Sequence, residues 1–500
     1  MHNYLKFFGL FSTLLFSMLC CVSSLPGTPV YENAPTIAVS LQSQQPNESP
    51  LPLTASNTPA PLTPSNTPVP LNPTNTPVPT SLNTTGPFIM FKGPSGIWIT
   101  NPDGSFPTRV SEYELRGDLR GAISPAGDRM ALVIQNDQGL DLVVVKIPGG
   151  EMETITNLIS LTRAEEYSDA TSPKAFATYA IRDYDSVAWQ PGDGHLLAFI
   201  GANNGPTADL YLYDTQTREI TQLTDGPSQA INPSWSPDGR YILNFGVSWV
   251  PPFGGAILGA NQLDGAWAVQ VSDGKVISLP KPKGSLPRFV GWQDDSHYIT
   301  YDSDDECSSQ NLRTVDVASG ETTPIMDFSF YSYIARSPEN GALLFSGTAG
   351  CPNSVGEGVF LLLPGQTTPV RLLDKQAWGI EWLPESKLFF AYPEALISSD
   401  GNSRYDPPVY ESSFDPVVSK EGFQAWKVYE NQIARVVVKF PGGEWQTVLD
   451  ASVRQFIWDP LEGRTLLITT GGPLYAASYP DFTPRKMGNL GNIDQAIWLP

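Results

Sequence analysis

The sequence predicts an all-β chain: a β-propeller of four-stranded blades, eight or nine by repeat count, closed by N- and C-terminal strands that share one blade. Three observations predict it. A turn-and-strand corner recurs along the chain, hairpins fill the intervals between corners, and the two ends of the globular part supply complementary pieces of one unit.

The corner is clearest in "INPSWSPDGRYILNF", Ile231 to Phe245. Ser236-Pro237-Asp238-Gly239 has the composition of a type I turn. Proline presets φ, aspartate bonds its own backbone, and glycine accepts a positive φ at the exit. Beyond the turn, Tyr241, Leu243 and Phe245 alternate with Ile242 and Asn244, the period of a strand. Trp235 ends the strand before the turn. Hairpins such as "DLYLYDTQTREITQLT", "AWAVQVSDGKVISLP" and "ARVVVKFPGGEWQTVL" place a polar or glycine-containing turn between apolar runs.

Corner units are centred near Ser124, Trp189, Trp235, Trp292, Arg336, Trp382, Ser419, Trp458 and Trp498, at intervals of 65, 46, 57, 44, 46, 37, 39 and 40 residues. A repeat of about 40–50 residues carrying four strands marks a propeller, because one small sheet cannot bury both faces alone. The unit near Trp382 is the one expected to be irregular. "IDQAIWLP" (Ile493 to Pro500) reads as a lone first strand, and Phe88 to Val110 reads as three strands lacking a first. Joined, they remove the strand edges that an open array would expose.

These repeats resemble the WD40-like (PD40) modules of the TolB family of β-propellers. "PSWSPDGRYILNF" matches that family's motif closely, and "VVSKEGFQAW" and "AISPAGDRMALV" match it more loosely. The resemblance covers nearly all of 87–500. It implies the fold and little about activity, since such propellers serve as partner-binding modules, enzyme caps and enzymes alike.

The 51 acidic residues against 30 basic ones give a formal net charge of −21, which excludes phosphate backbones and anionic lipid as favoured partners. Residues 1–24 carry one lysine and then an apolar run, Phe7 to Val22, of the length of a signal h-region. Cys20 and Cys21 suggest lipidation at either cysteine, which would be the chain's one membrane attachment; plain cleavage after Ser24 is the rival reading. Residues 25–86 hold the repeats "SNTPAPLTP", "SNTPVPLNP" and "TNTPVPTSL", a Pro/Thr/Ser/Asn-rich stalk reaching on the order of 190 Å if fully polyproline II. Signal and stalk place the propeller, 87–500, outside the cytoplasm, as a cell-surface lipoprotein or a secreted protein.

Cys307 lies 15 residues after Trp292, and Cys351 lies 15 residues after Arg336. Matching offsets in adjacent units, outside the cytoplasm, read as a disulfide. Beside Cys307, Asp302, Asp304 and Asp305 are candidate oxygen ligands for Ca²⁺, the one cofactor considered, although they lack the D-x-D-x-D-G spacing and fit a solvated acidic loop better. The chain has three histidines, of which His195 and His297 fall at the solvent-facing corner position, and no G-x-S-x-G. A Ser-His-Asp triad has almost no raw material here.

Six tryptophans at the repeat position read as core. Trp249 does not share that position. It lies with Phe253 in a long apolar insertion, Gly246 to Gly265, and a second insertion runs from Leu158 to Asp185. Both emerge on the face that carries the cysteines, where loops on a rigid scaffold concentrate binding residues; a packing lid is the competing account. The expectation is a non-catalytic module that binds a protein or a cell-envelope glycan through Trp249 and Phe253. The alternative is a carbohydrate-active enzyme that uses paired carboxylates in the funnel.

Overall fold

Alternating apolar strands and Gly- or Asp-containing turns condense into nine sheet modules among the described residues. The computed structural model describes residues 81–499 apart from 94, 116, 162–172, 183–184, 251–259, 285–287, 305–307, 350, 352, 385 and 488–491. The signal segment, Cys20, Cys21 and the Pro-rich repeats lie outside the described residues. So do Phe253, Asp305 and Cys307.

The modules run in chain order over 88–111, 119–160, 187–222, 229–279, 289–326, 330–373, 379–405, 412–450 and 455–487. Strands within each follow sequence order and pair antiparallel. The fifth and sixth are joined into one eight-stranded sheet by the pairing of Ser309 with Phe330. Gln495–Leu499 takes the first-strand place in the 88–111 module, with Ile89 opposite Trp498, so both terminal strands share one sheet as expected. The unit around Trp382 is a regular four-stranded sheet, contrary to expectation. The irregular module is 119–160, where the one-turn helix Leu119–Ala122 and the Ile123–Met130 bridge precede three strands. Within the Leu158–Asp185 insertion, Pro173–Arg182 forms a helix that alternation alone does not reveal.

Side chains or backbone groups tie each module to the next. Trp189 Nε1 donates to the Ala122 carbonyl at 2.9 Å, Trp235 Nε1 to the Ala188 carbonyl at 2.9 Å and Trp292 Nε1 to Ser234 Oγ at 3.0 Å. Arg336 replaces tryptophan in the next unit and donates to the Gln293 carbonyl at 2.8 Å. Ser346 Oγ reaches the Ala377 carbonyl, Ser386 Oγ accepts from Val418 N–H, and Trp458 Nε1 donates to the Val417 carbonyl. Gln455 accepts from Ala496 N–H and Gln495 from Leu119 N–H. Trp189, Trp235, Trp292 and Trp458 are thus pegs between modules as well as core residues.

The first strands also share a kink. In Gln229–Trp235 a bulge falls between Ile231 and Ser234, with Asn232 at φ 52. In Ser412–Val418 the bulge falls between Phe414 and Val417, with Asp415 at φ 47. Asn and Asp are the side chains that visit this left-handed region most readily, and a bulge re-aims the side chain it carries.

Candidate functional site

The seventh and eighth modules bring two carboxylates together. Glu381 sits in Gly379–Leu383, opposite Phe390. The pleat puts Glu381 and Phe390 on one face and Trp382 and Phe389 on the other. Phe390 meets Trp426 of the eighth module edge-on at 5.8 Å, so the Glu381 face looks onto that module. Asp415 lies across the seam on the bulge of Ser412–Val418.

Protein surrounds the Asp415 carboxyl on most sides, and burial pushes it above the ordinary carboxylate range. Lys427 opposes that push, with Nζ 3.9 Å from Asp415 Oδ2, while the charge of Glu381 adds to it. The Asp415 side chain still keeps 40% of its surface accessible, so solvent or a ligand can reach it. Accessible area and enclosure disagree only in appearance: a carboxyl in a crevice touches solvent at its tip and loses hydration elsewhere.

An aromatic stair flanks the acids. Trp378, 67% exposed, packs on Tyr392 at 6.2 Å. Tyr392 stacks on Phe414 at 5.5 Å, and Phe414 meets Tyr429 edge-on at 5.7 Å. The Lys427 ammonium lies 5.7 Å from the Tyr429 ring centre. A carboxyl of raised proton affinity, a second carboxylate, a cation and exposed aromatic surface are the parts of an acid–base site next to a binding strip.

None of these residues was singled out from sequence. The usable signal was "FDPVVSKEG", which lays Asp415 on the position of Asn232 in "INPSWSPDG". The residues that were singled out go elsewhere. Trp249 pairs through its backbone with Asn261 on the strand Tyr241–Val250. Asp302 turns inward: it accepts from Lys283 N–H at 2.7 Å, Asn311 Nδ2 at 2.9 Å and Arg313 Nη2 at 3.0 Å. Burial raises its carboxyl, but those donors outweigh burial and hold it below the usual range. Asp304 ends the strand His297–Asp304. No group of three or more His, Cys, Asp or Glu that could hold a metal ion occurs among the described residues. Cys351 is half-buried. His195 and His297 stand at the corners beside Asp193 and Asp294, at 2.8 and 2.9 Å.

No protein-family model matches the chain. Similar solved structures include the dipeptidyl peptidase 4 of Porphyromonas gingivalis, at 11% identity and a TM-score of 0.41, over 81% of this chain and 60% of that one. TolB from Acinetobacter baumannii is similar at 14% identity and a TM-score of 0.27, over 74% of this chain and 82% of that one. Among curated proteins, an uncharacterised peptidase of Bacillus subtilis, YuxL, is 47% identical over 55 residues. That segment is 11% of this chain and 8% of the peptidase, so the chain spans under a tenth of that relative's length. The match to a curated peptidase corrects the expectation of a non-catalytic binding module.

Proposed function

We propose that this chain is an extracytoplasmic hydrolase: a closed nine-bladed propeller of the TolB-like PD40 type that cleaves peptide substrates at the seam carrying Glu381 and Asp415. The observation that carries the reading is the desolvated Asp415 carboxyl beside a second carboxylate, within reach of solvent. Ties at every module boundary support the closed ring. The apolar stretch Phe7 to Val22 and the Pro-rich segment support the compartment.

Two carboxylates whose environments push their proton affinities apart can divide acid and base roles. Glu381 takes a proton from water as its oxygen attacks the scissile carbonyl carbon. Asp415 gives its proton to the departing amide nitrogen, the C–N bond breaks, and the two acids exchange a proton through solvent to reset. Lys427 balances the extra negative charge once Asp415 has ionised. Trp378 and Tyr392 offer apolar surface to side chains flanking the cleaved bond. With three histidines in the chain and no G-x-S-x-G, a serine triad has little raw material here.

The test is hydrolysis of a fluorogenic peptide library by the full chain, with aryl glycosides as the comparison set. Asp415→Asn is expected to lower kcat/KM by about 10²-fold or more, with little change in KM. Full activity in Asp415→Asn, or cleavage of glycosides alone, rejects the reading.

A further inference from the structure

A second site lies far along the chain from the acid pair, between the third and fourth modules. A cleft of about 280 Å³ opens between the turn Leu223–Pro227 and the sheet face bearing Asn244, Gly246 and Trp267. Its floor is an indole. Asn244 stands opposite Trp267 in the ladder, and Gly246 stands opposite Gly265. A Cβ on Gly246 would fall 2.3 Å from the Trp267 ring, and one on Gly265 would fall 2.7 Å from it. The two glycines thus let the half-buried ring lie flat along the sheet at the base of the Gly246–Gly265 insertion.

Asn244 gives the cleft a vacancy in its hydrogen bonding. Its side chain is 1% exposed, it lines the cleft, and its amide oxygen is buried with no hydrogen-bond partner. Buried polar atoms in native proteins are almost always satisfied, so an unpartnered acceptor on a residue that lines a cleft asks for a donor from a ligand. The buried acid of the cleft, Asp209, is not open in that way. Asp209 accepts from Gly226 N–H at 2.7 Å, Thr224 Oγ1 at 3.3 Å and Thr207 Oγ1 at 3.1 Å. Those three donors occupy its carboxyl, which leaves the Asn244 oxygen as the buried acceptor without a partner. The matching chemistry is a small molecule with hydroxyl donors, for Asn244 and for the exposed Asp225 that also lines the cleft, and an apolar face for the indole.

We propose that this cleft binds a single pyranose ring, its C–H face on the Trp267 indole and a hydroxyl donating to Asn244 Oδ1. The volume sits at the lower end of ligand sites, so one sugar unit fits and a folded peptide segment does not. The site is independent of the acid pair and of its reading as a peptidase.

The experiment is titration of the full chain with methyl β-glucopyranoside, methyl β-galactopyranoside and N-acetylglucosamine, read by ligand-observed NMR and by tryptophan fluorescence. At least one probe is expected to bind in the millimolar range usual for so small a ligand. Trp267→Ala and Asn244→Leu should each weaken it at least about tenfold. Val276 lines the cleft and is 45% exposed, so Val276→Arg obstructs the cleft without altering the core and should abolish binding even if the buried variants fail to fold. Asp415→Asn should bind the sugar as the unaltered chain does, which separates this site from the hydrolytic one. Absence of binding by all three sugars, unchanged binding in Val276→Arg, or preferential binding of methylammonium overturns the proposal.

Discussion

The indole N–H of Trp235 donates to the backbone carbonyl of Ala188 at 2.9 Å, so the residue that marks the repeat in the sequence also fastens one module to the module before it. Trp235 is 7% exposed and belongs to the largest apolar cluster. Its two roles separate by substitution. Trp235→Phe keeps most of the apolar volume but leaves the carbonyl unpaired, at a cost of about 1–3 kcal/mol. Trp235→Ala also opens a cavity and should cost about 3–5 kcal/mol. Urea denaturation of both variants measures the difference. Equal stability of Trp235→Phe and the unaltered chain would remove the peg.

The terminal strands give a second prediction. Ile89 and Phe91 are fully buried on Phe88–Gly93, which pairs with Gln495–Leu499. Removing 493–500 uncovers that edge and the apolar residues behind it. The truncated chain should lose more than about 3 kcal/mol of stability or aggregate on purification. Thermal unfolding followed by circular dichroism is the check, and an unaltered melting curve contradicts it.

Asp459 is an acid whose charge stabilises the fold. It is 8% exposed and accepts from the backbone N–H groups of Leu461, Glu462, Arg464 and Thr465 at 3.1, 2.6, 3.0 and 2.9 Å. Burial pushes its carboxyl up, but the N–H donors together hold it below the usual range. A carboxyl lowered by folding adds stability above its unfolded value and loses it as pH falls through the folded one. Asp459→Ala should therefore cost about 2–3 kcal/mol at neutral pH, with the gap to the unaltered chain narrowing in acid. A gap that stays constant with pH would mean that the charge plays no part.

The all-β class, the corner units and the shared terminal sheet were legible because period-two alternation and turn chemistry are local signals. The regular sheet at Trp382 and the short helix at Leu119–Ala122 were not, because pairing partners decide them more than composition does. The site was harder still. Glu381 and Asp415 are 34 positions apart and meet only because neighbouring modules stack. Yet Asp415-Pro416 repeats Asn232-Pro233 one bulge at a time, so alignment of the corners would have isolated one acid among the 51. Cleft residues such as Asn244 and Trp267 carry ordinary strand patterning, and only the pairing of Gly246 with Gly265 hints at a ring between them.

The cysteine pair remains a prediction from spacing. Cys351 follows the sixth module's second strand, Leu343–Gly347, and Cys307 has the same sequence offset, 15 residues after Trp292 as Cys351 is 15 after Arg336. A bridge between them would stabilise the chain by about 3–4 kcal/mol through the unfolded state. Intact mass after alkylation without reductant decides it: two alkylated thiols in the 87–500 region exclude the bridge.

The last prediction concerns the pH dependence of Asp415, where stability and activity part company. Folding raises its carboxyl above the unfolded value, burial being the main cause. A raised carboxyl binds its proton more tightly when folded, so its contribution is fully present below the unfolded value and lost as pH rises through the folded one. Asp415→Asn removes the charge without much change of shape. The variant should therefore match the unaltered chain in acid and melt at a higher temperature near neutral pH and above. The same substitution removes the proposed proton donor, so kcat should fall across the whole range, and its alkaline limb should disappear with the titrating group. Lys427→Met tests the balance from the other side. Loss of the cation 3.9 Å away removes the strongest charge that favours ionisation, so the alkaline limb should move to higher pH and the neutral-pH melting temperature should drop. Melting curves and kcat profiles of the two variants, collected over one pH series, must shift in these opposed directions. An Asp415→Asn variant less stable than the unaltered chain at neutral pH would show that the ion pair with Lys427 outweighs desolvation, and would remove Asp415 as a proton donor.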